Sequence, residues 1–292
     1  MLFHTLSCYY PMTMTTSQRI FSIAALLTLS ACAQASGPGD PTADPEFIIG
    51  LNAARGPRAL TALDDKLEAL IPAYTGHVCA DIVADVKKLR LNKDEFESTA
   101  DYQSRIGQLA NAGLHGQLRL SDTLAFVHHN SLYGVKYDAD KSQMSGSVGI
   151  RDSNQWNSEK TQLLRSKVLD QTYGGKSKGQ ARTESGISVN VDRLSYQVCA
   201  LNIANSNSWQ QTNFDFNIPA AEARLDKGRL KALFVGHLVP QFIQNYDLVV
   251  SPSVKAMWQT TYTGNALVFQ LEQIWIYNQV TGRVYKKIKP SN

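Results

Sequence analysis

Leu267-Val268-Phe269-Gln270-Leu271-Glu272-Gln273-Ile274-Trp275-Ile276-Tyr277 decides the fold class. Leu267, Phe269, Leu271, Gln273, Trp275 and Tyr277 alternate with Val268, Gln270, Glu272, Ile274 and Ile276, the period of a strand that packs through its faces. Thr281-Gly282 then supplies a turn, and Val284-Tyr285 returns, so this end of the sequence reads as a hairpin.

Working upstream, Leu230 to Val239 is a nearly continuous apolar run that stops at Pro240, the pattern of a central strand. Pro219 introduces a short helical turn at Ala220 to Arg224. Ile187 to Ile203 predicts one long strand or two, with Cys199 inside. Thr123 to His128, Tyr133 to Tyr137 and Gly146 to Ile150 read as strands, and Asp138 to Ser142 as a polar turn region. The polar stretch from Arg151 to Ser185 reads mostly as an excursion from the sheet, with a helix or strand at Leu163 to Leu169.

Before Gly116 the period becomes helical. Leu60, Leu63, Leu67, Leu70 and Ile71 recur at three- and four-residue spacing up to Pro72, which predicts an amphipathic helix. Val78 to Leu89 predicts a second, placing Cys79 at its start. Ser98 as N-cap with Asp101 three residues on predicts a third, with Tyr102, Ile106 and Leu109 on one face. The expected class is α+β: a helical segment, residues 60–115, packed on a mainly antiparallel β-rich body, residues 116–292, the two forming one domain.

The N-terminus has a different grammar. Arg19 precedes the apolar run Ile20 to Leu29, and Leu29-Ser30-Ala31-Cys32 closes it. This order resembles the signal and lipobox of bacterial lipoprotein precursors. The resemblance implies a signal peptide over residues 1–31, lipidation of Cys32, and a cell-envelope location facing the periplasm. Ala33 after the cysteine resembles the outer-membrane sorting pattern. Met12 and Met14 are alternative starts that would give a signal of more usual length. Residues 32–59, rich in Gly, Pro and small side chains, read as a flexible tether. The run Lys93 to Arg105 is similar to a segment of uncharacterised bacterial envelope proteins and implies no site residue.

Export settles how the cysteines are read. With Cys8 in the signal and Cys32 lipidated, Cys79 and Cys199 remain, either as a disulfide or as two buried thiols. A bridge across about 120 residues would contribute roughly 3 to 4 kcal/mol, the upper part of the range typical of disulfides.

Charge argues against nucleic acid as a partner. Of 29 basic and 25 acidic residues, the signal removes only Arg19, and the excess left is spread out except at Arg283, Lys286, Lys287 and Lys289. Nucleotide binding fails as well: Gly175-Lys176-Ser177 resembles the end of a phosphate loop, but Asp170 stands where its first glycine belongs. No cofactor is expected. Metal sites fail on spacing. Asp138 and Asp140 begin no calcium loop, because Gln143 and Gly149 replace its glycine and glutamate. The side chains of His128 and His129 point to opposite faces of a strand, and a metal at His77 and Cys79 would compete with the disulfide.

No nucleophile elbow is present. The leading expectation is a non-enzymatic binding or assembly module, with membrane lipid and cell-wall or envelope proteins as its partners. The alternative is a periplasmic hydrolase of cell-wall glycan or peptide, for which Asp138, Asp140 and His237 are the candidate acid–base residues. Trp258, Tyr262, Trp275 and Tyr277, interleaved with amides, are candidates for a glycan or peptide groove, against plain cross-strand packing.

Overall fold

Strands dominate the chain, and most of them pair antiparallel. The structure, a computed structural model, describes residues 59–128, 131–150, 166–183, 185–205, 211–253 and 257–290. These belong to a unit running from Asp44 to Asn292. The expected signal, Cys32 and nearly all of the tether lie outside the described residues, as does His129.

The main sheet is built from β1 (Leu124–His128), β4 (Ser166–Arg182), β5 (Ser188–Ile203), β7 (Leu230–Val250) and β8 (Trp258–Asn278) in the order β1-β7-β8-β5-β4. A last strand, β9 (Val284–Ile288), pairs with the end of β8, which gives the expected terminal hairpin. Among the described residues the one parallel pair is β5 with β8, from Asp192↔Trp258 to Ile203↔Phe269. The sheet curls enough for its two end strands, β1 and β4, to come into contact. A second sheet has the order β2 (Leu132–Asp138), β3 (Gln143–Gly149), β6 (Gln211–Asn217).

The main core lies between these layers. Phe126, Phe234, Leu267, Phe269, Leu271 and Ile274 from the main sheet meet Met144, Val148, Phe214 and Phe216 from the second. Helix α1 (Cys79–Val86) adds Ile82, Val83 and Val86 to the same core, because its apolar positions recur at helical spacing. Helix α2 (Thr99–Gln108) begins as expected, with Ser98 Oγ accepting the backbone N–H of Asp101 at 3.1 Å. Helix α3 (Ala220–Asp226) follows Pro219. The disulfide joins Cys79, at the start of α1, to Cys199 in the middle of β5, with a Cα–Cα distance of 6.0 Å.

Three expectations are corrected. Leu60 to Ile71 forms no helix: Leu63 and Leu70 are buried while Leu60, Leu67 and Ile71 face solvent, so the predicted apolar face is split. Its backbone is bonded to the sheet region instead, Leu63 N–H to Thr123 O at 2.9 Å and Leu70 N–H to Gly282 O at 2.8 Å. The strand at Leu230 does not end at Pro240. Residues 239–242 loop out between Leu238↔Phe269 and Ile243↔Leu267, which accommodates a proline without an N–H, and pairing then resumes to Val250. Residues 166–182 are no excursion but the 17-residue edge strand β4. Its polarity follows from position, since an edge strand that extends past the core buries neither face deeply over much of its length.

Candidate functional site

The two faces of the main sheet exchange character along the strands. Near the disulfide, the face carrying Leu201, Leu267 and Phe269 is core. Farther along, that same face becomes polar, with Gln197 Nε2 donating to Thr263 Oγ1 at 3.0 Å. The opposite face there is apolar, with Val198, Ala200, Tyr246, Leu248 and Ala266 forming a cluster of their own.

A row of tyrosines continues this apolar face. Tyr173 on β4 is paired in register with Tyr196 on β5, and Tyr196 with Tyr262 on β8. The Tyr173 and Tyr196 rings meet edge to face with centroids 5.6 Å apart, and those of Tyr196 and Tyr262 stack at 5.3 Å. Burial is the main cause that raises the hydroxyl pKa values of Tyr196 and Tyr262, so both remain neutral donors at ordinary pH. Trp258 lies four residues before Tyr262 on the same strand, hence on the same face, and is 37% exposed. Aromatic faces with hydroxyl tips suit flat, partly apolar ligands carrying hydrogen-bonding groups.

Of the four aromatic candidates, Trp258 and Tyr262 stand at this face. The other two are core. Trp275 and Tyr277 are fully buried with Leu63, Leu70 and Tyr74. Trp275 Nε1 donates to Gln273 Oε1 at 2.8 Å, and the Tyr277 hydroxyl donates to Tyr74 O at 2.8 Å. The bulge between Val235 and Gly236, opposite Gln273 and Leu271, moves the Trp275 and Tyr277 positions under the irregular segment that includes Leu63, Leu70 and Tyr74.

Asp138 and Asp140 sit at the β2–β3 turn. Asp138 Oδ1 accepts the backbone N–H groups of Asp140 at 3.1 Å and Lys141 at 3.2 Å. The Lys141 N–H is the main cause that lowers the Asp138 pKa, which favours a permanent anion over a general acid. His237 is a partly exposed side chain on β7, not a core imidazole, and its Nδ1 lies 3.1 Å from Glu272 Oε1. A shallow depression of about 410 Å³ on the second sheet is lined by Tyr133, Lys136, Ser145, Ser147, Asn213 and Asp215 among others, and by none of those three. Asp138, Asp140 and His237 thus do not share that cavity.

One titratable cluster had no sequence signal. Glu222 and Asp226 lie four apart on α3; the Tyr285 hydroxyl donates to Asp226, and Glu222 Oε1 stands 3.2 Å from the same oxygen. Asp226 also accepts from Asn278 Nδ2 at 2.7 Å, and Arg283 pairs with Glu222. Burial first, then Asp226, drive the Tyr285 pKa upward. With the carboxylates so engaged, the cluster ties α3 to β8 and β9.

Tyr173 and Tyr196 of the row were also missed. Their alignment is a property of strand register, and Tyr173 lay in the stretch read as an excursion. Among the described residues no group of three His, Cys, Asp or Glu is placed to hold a metal ion, and no helix is long and apolar enough to cross a membrane. Comparison of the chain with protein-family models, with curated proteins and with solved structures gives no match.

Proposed function

We propose that this chain is an envelope lipoprotein, anchored through Cys32 and facing the periplasm, whose α+β domain is a non-enzymatic binding module for cell-wall polymer. In this reading the N-terminal helices form a layer on the β-rich body, and the far half of the main sheet is the working surface. The row Tyr173-Tyr196-Tyr262 carries the binding half of the proposal. It is an open aromatic face on long paired strands, a platform that suits a polymer laid across it better than a small molecule enclosed in it. The Cys79–Cys199 disulfide supports the exported half, since such bonds persist in oxidising compartments.

Co-sedimentation of the full chain with purified cell-wall sacculi tests the binding half. Tyr196→Ala and Tyr262→Ala are expected to lower the bound fraction at least about tenfold, in the range typical of aromatic anchors; unchanged retention overturns it. Palmitate labelling tests the anchor. Label that persists in Cys32→Ala refutes lipidation at that residue.

A further inference from the structure

The depression on the second sheet is built by register and by one bulge. Pairing across β2, β3 and β6 gives two rungs, Tyr133-Ser147-Asn213 and Lys136-Ser145-Asp215. In each, a serine on the central strand stands between longer side chains on its neighbours. The result is a trough with a hydroxyl floor and walls about 10 Å apart, two strand spacings. The opposite face of these strands, with Met144, Val148, Phe214 and Phe216, is core.

A regular strand could not make this trough. Tyr133 and Lys136 are three apart and would point to opposite faces. The register shifts between them, where Gly134 takes φ of +59°, and the bulge brings both to the outer face. Gly149 completes the arrangement. A Cβ there would lie 2.8 Å from Tyr133 Cε2, so the glycine is what lets the ring lie against the sheet. Tyr133 still lines the depression and is 46% exposed.

We propose that this trough is a saccharide site, in which the Tyr133 ring stacks on the apolar face of one pyranose ring and Lys136, Ser145, Asn213 and Asp215 bond its hydroxyl groups. The lining selects this occupant. Ser147 already accepts from Gln211, but the side chains of Lys136, Ser145 and Asn213 have no partner among the described residues, so donors and acceptors are both open to a ligand. Asp215 is steadied by Gln143 Nε2 at 2.8 Å, with Lys286 Nζ 4.0 Å away. An acyl chain would meet little besides Tyr133 that is both apolar and exposed, and a polyanion would meet the Asp215 carboxylate. An extended peptide would find no backbone to pair with, because β3 is bonded to β2 on one side and to β6 on the other. A sugar matches what is offered: an apolar ring face for the aromatic, rimmed by hydroxyl groups that donate and accept. A volume of about 410 Å³ lies at the lower end for small-molecule sites. This trough lies on a different sheet from the tyrosine row and does not rest on the wall-binding reading.

The test titrates the full chain with chitotriose, maltotriose and mannotriose, by calorimetry and by amide NMR shifts. At least one should bind, with shifts at Tyr133, Ser145 and Asn213. Tyr133→Ala should weaken that binding about tenfold, the loss of one aromatic anchor. Gly149→Ala keeps every side chain that bonds the sugar and lifts only the ring, so it should weaken binding similarly. No binding of any of the three at millimolar concentration, or affinity unchanged in either variant, overturns the proposal. Shifts confined to the tyrosine row would overturn it too, while supporting that other surface. Should Gly149→Ala fail to fold, Tyr133→Ala, at an exposed position, decides.

Discussion

His77 and Ala125 are bonded to each other twice: the His77 backbone N–H donates to Ala125 O at 2.7 Å, and the Ala125 N–H donates to His77 Nδ1 at 2.8 Å. Since Nδ1 accepts, the ring proton sits on Nε2, which reaches Thr61 O at 3.0 Å. A neutral imidazole thus pins the irregular segment before α1 to strand β1. Burial lowers its pKa below 6.5, against smaller opposing effects from the Thr61 and Ala125 carbonyls and the Asp122 charge. The unfolded chain takes up a proton as pH falls through 6.5 while the folded chain resists it. The stability from this site is therefore complete above pH 6.5 and lost as pH falls toward the lower folded-state pKa. Melting midpoints measured downward from neutral pH should show that loss, and His77→Gln should remove it from the pH profile.

Reducing the Cys79–Cys199 disulfide should cost about 3 to 4 kcal/mol, because it frees a loop with a sequence separation of 120. For a domain of this size that corresponds to a fall in melting midpoint on the order of 10 °C. Calorimetry with and without reductant checks it, with thiol counting to confirm that both sulfurs are released.

The elements legible in the sequence were those whose signal is local. Ser98 with Asp101 announced α2, Asp138 to Ser142 announced the β2–β3 turn, and Thr281-Gly282 announced the last hairpin. What stayed hidden depends on partners far away in sequence. Leu60 to Ile71 has helical spacing, yet its backbone is claimed by Thr123 and Gly282. Phe214 and Phe216 make β6 from only two inward side chains, too few to stand out beside Asn213 and Asp215. The candidate site divides in the same way. Trp258 and Tyr262 were identified by residue type, while Tyr173 and Tyr196 needed the register that stacks them, and a bulge not visible in the pattern placed Trp275 and Tyr277 in the core.

Gly282→Ala should destabilise the domain strongly. Gly282 has φ of +78°, and a Cβ built there would lie 2.0 Å from Leu70 O. The left-handed backbone alone costs about 1 to 3 kcal/mol for a residue with a side chain, and the contact adds to that. The clash falls on Leu70, the residue whose backbone N–H donates to Gly282 O and ties the irregular segment to the last turn. A lowered denaturant midpoint with an unchanged slope is the expected result.

Asn205 continues strand β5 with its side chain. Its Nδ2 donates to Leu271 O at 2.9 Å and its Oδ1 accepts the Leu271 N–H at 3.2 Å, filling the backbone positions of β8 between the end of β5 and the start of pairing with β9. Asn205→Ala leaves both Leu271 groups without these bonds and should cost about 1 to 3 kcal/mol. Amide hydrogen exchange should locate the effect at Leu271, with faster exchange there than at Phe269, which keeps its strand pairing.

Tyr285→Phe tests whether the carboxylate cluster is structural. The Tyr285 hydroxyl donates to Asp226, with Glu222 beside it, and its ring stacks on Phe216 with centroids 4.6 Å apart, so it joins α3, β6 and β9 at one point. Phenylalanine keeps the stack and removes only the hydroxyl. Asp226, which is buried, then retains its 2.7 Å bond from Asn278 but loses the phenol, and Glu222 retains Arg283. A buried carboxylate short of one donor should cost about 1 to 3 kcal/mol, and Asp226→Asn in the same background should recover part of it by removing the charge left under-bonded. Chemical denaturation of the single and double variants measures both steps. A double variant no more stable than Tyr285→Phe would show that the hydroxyl serves something other than the Asp226 charge.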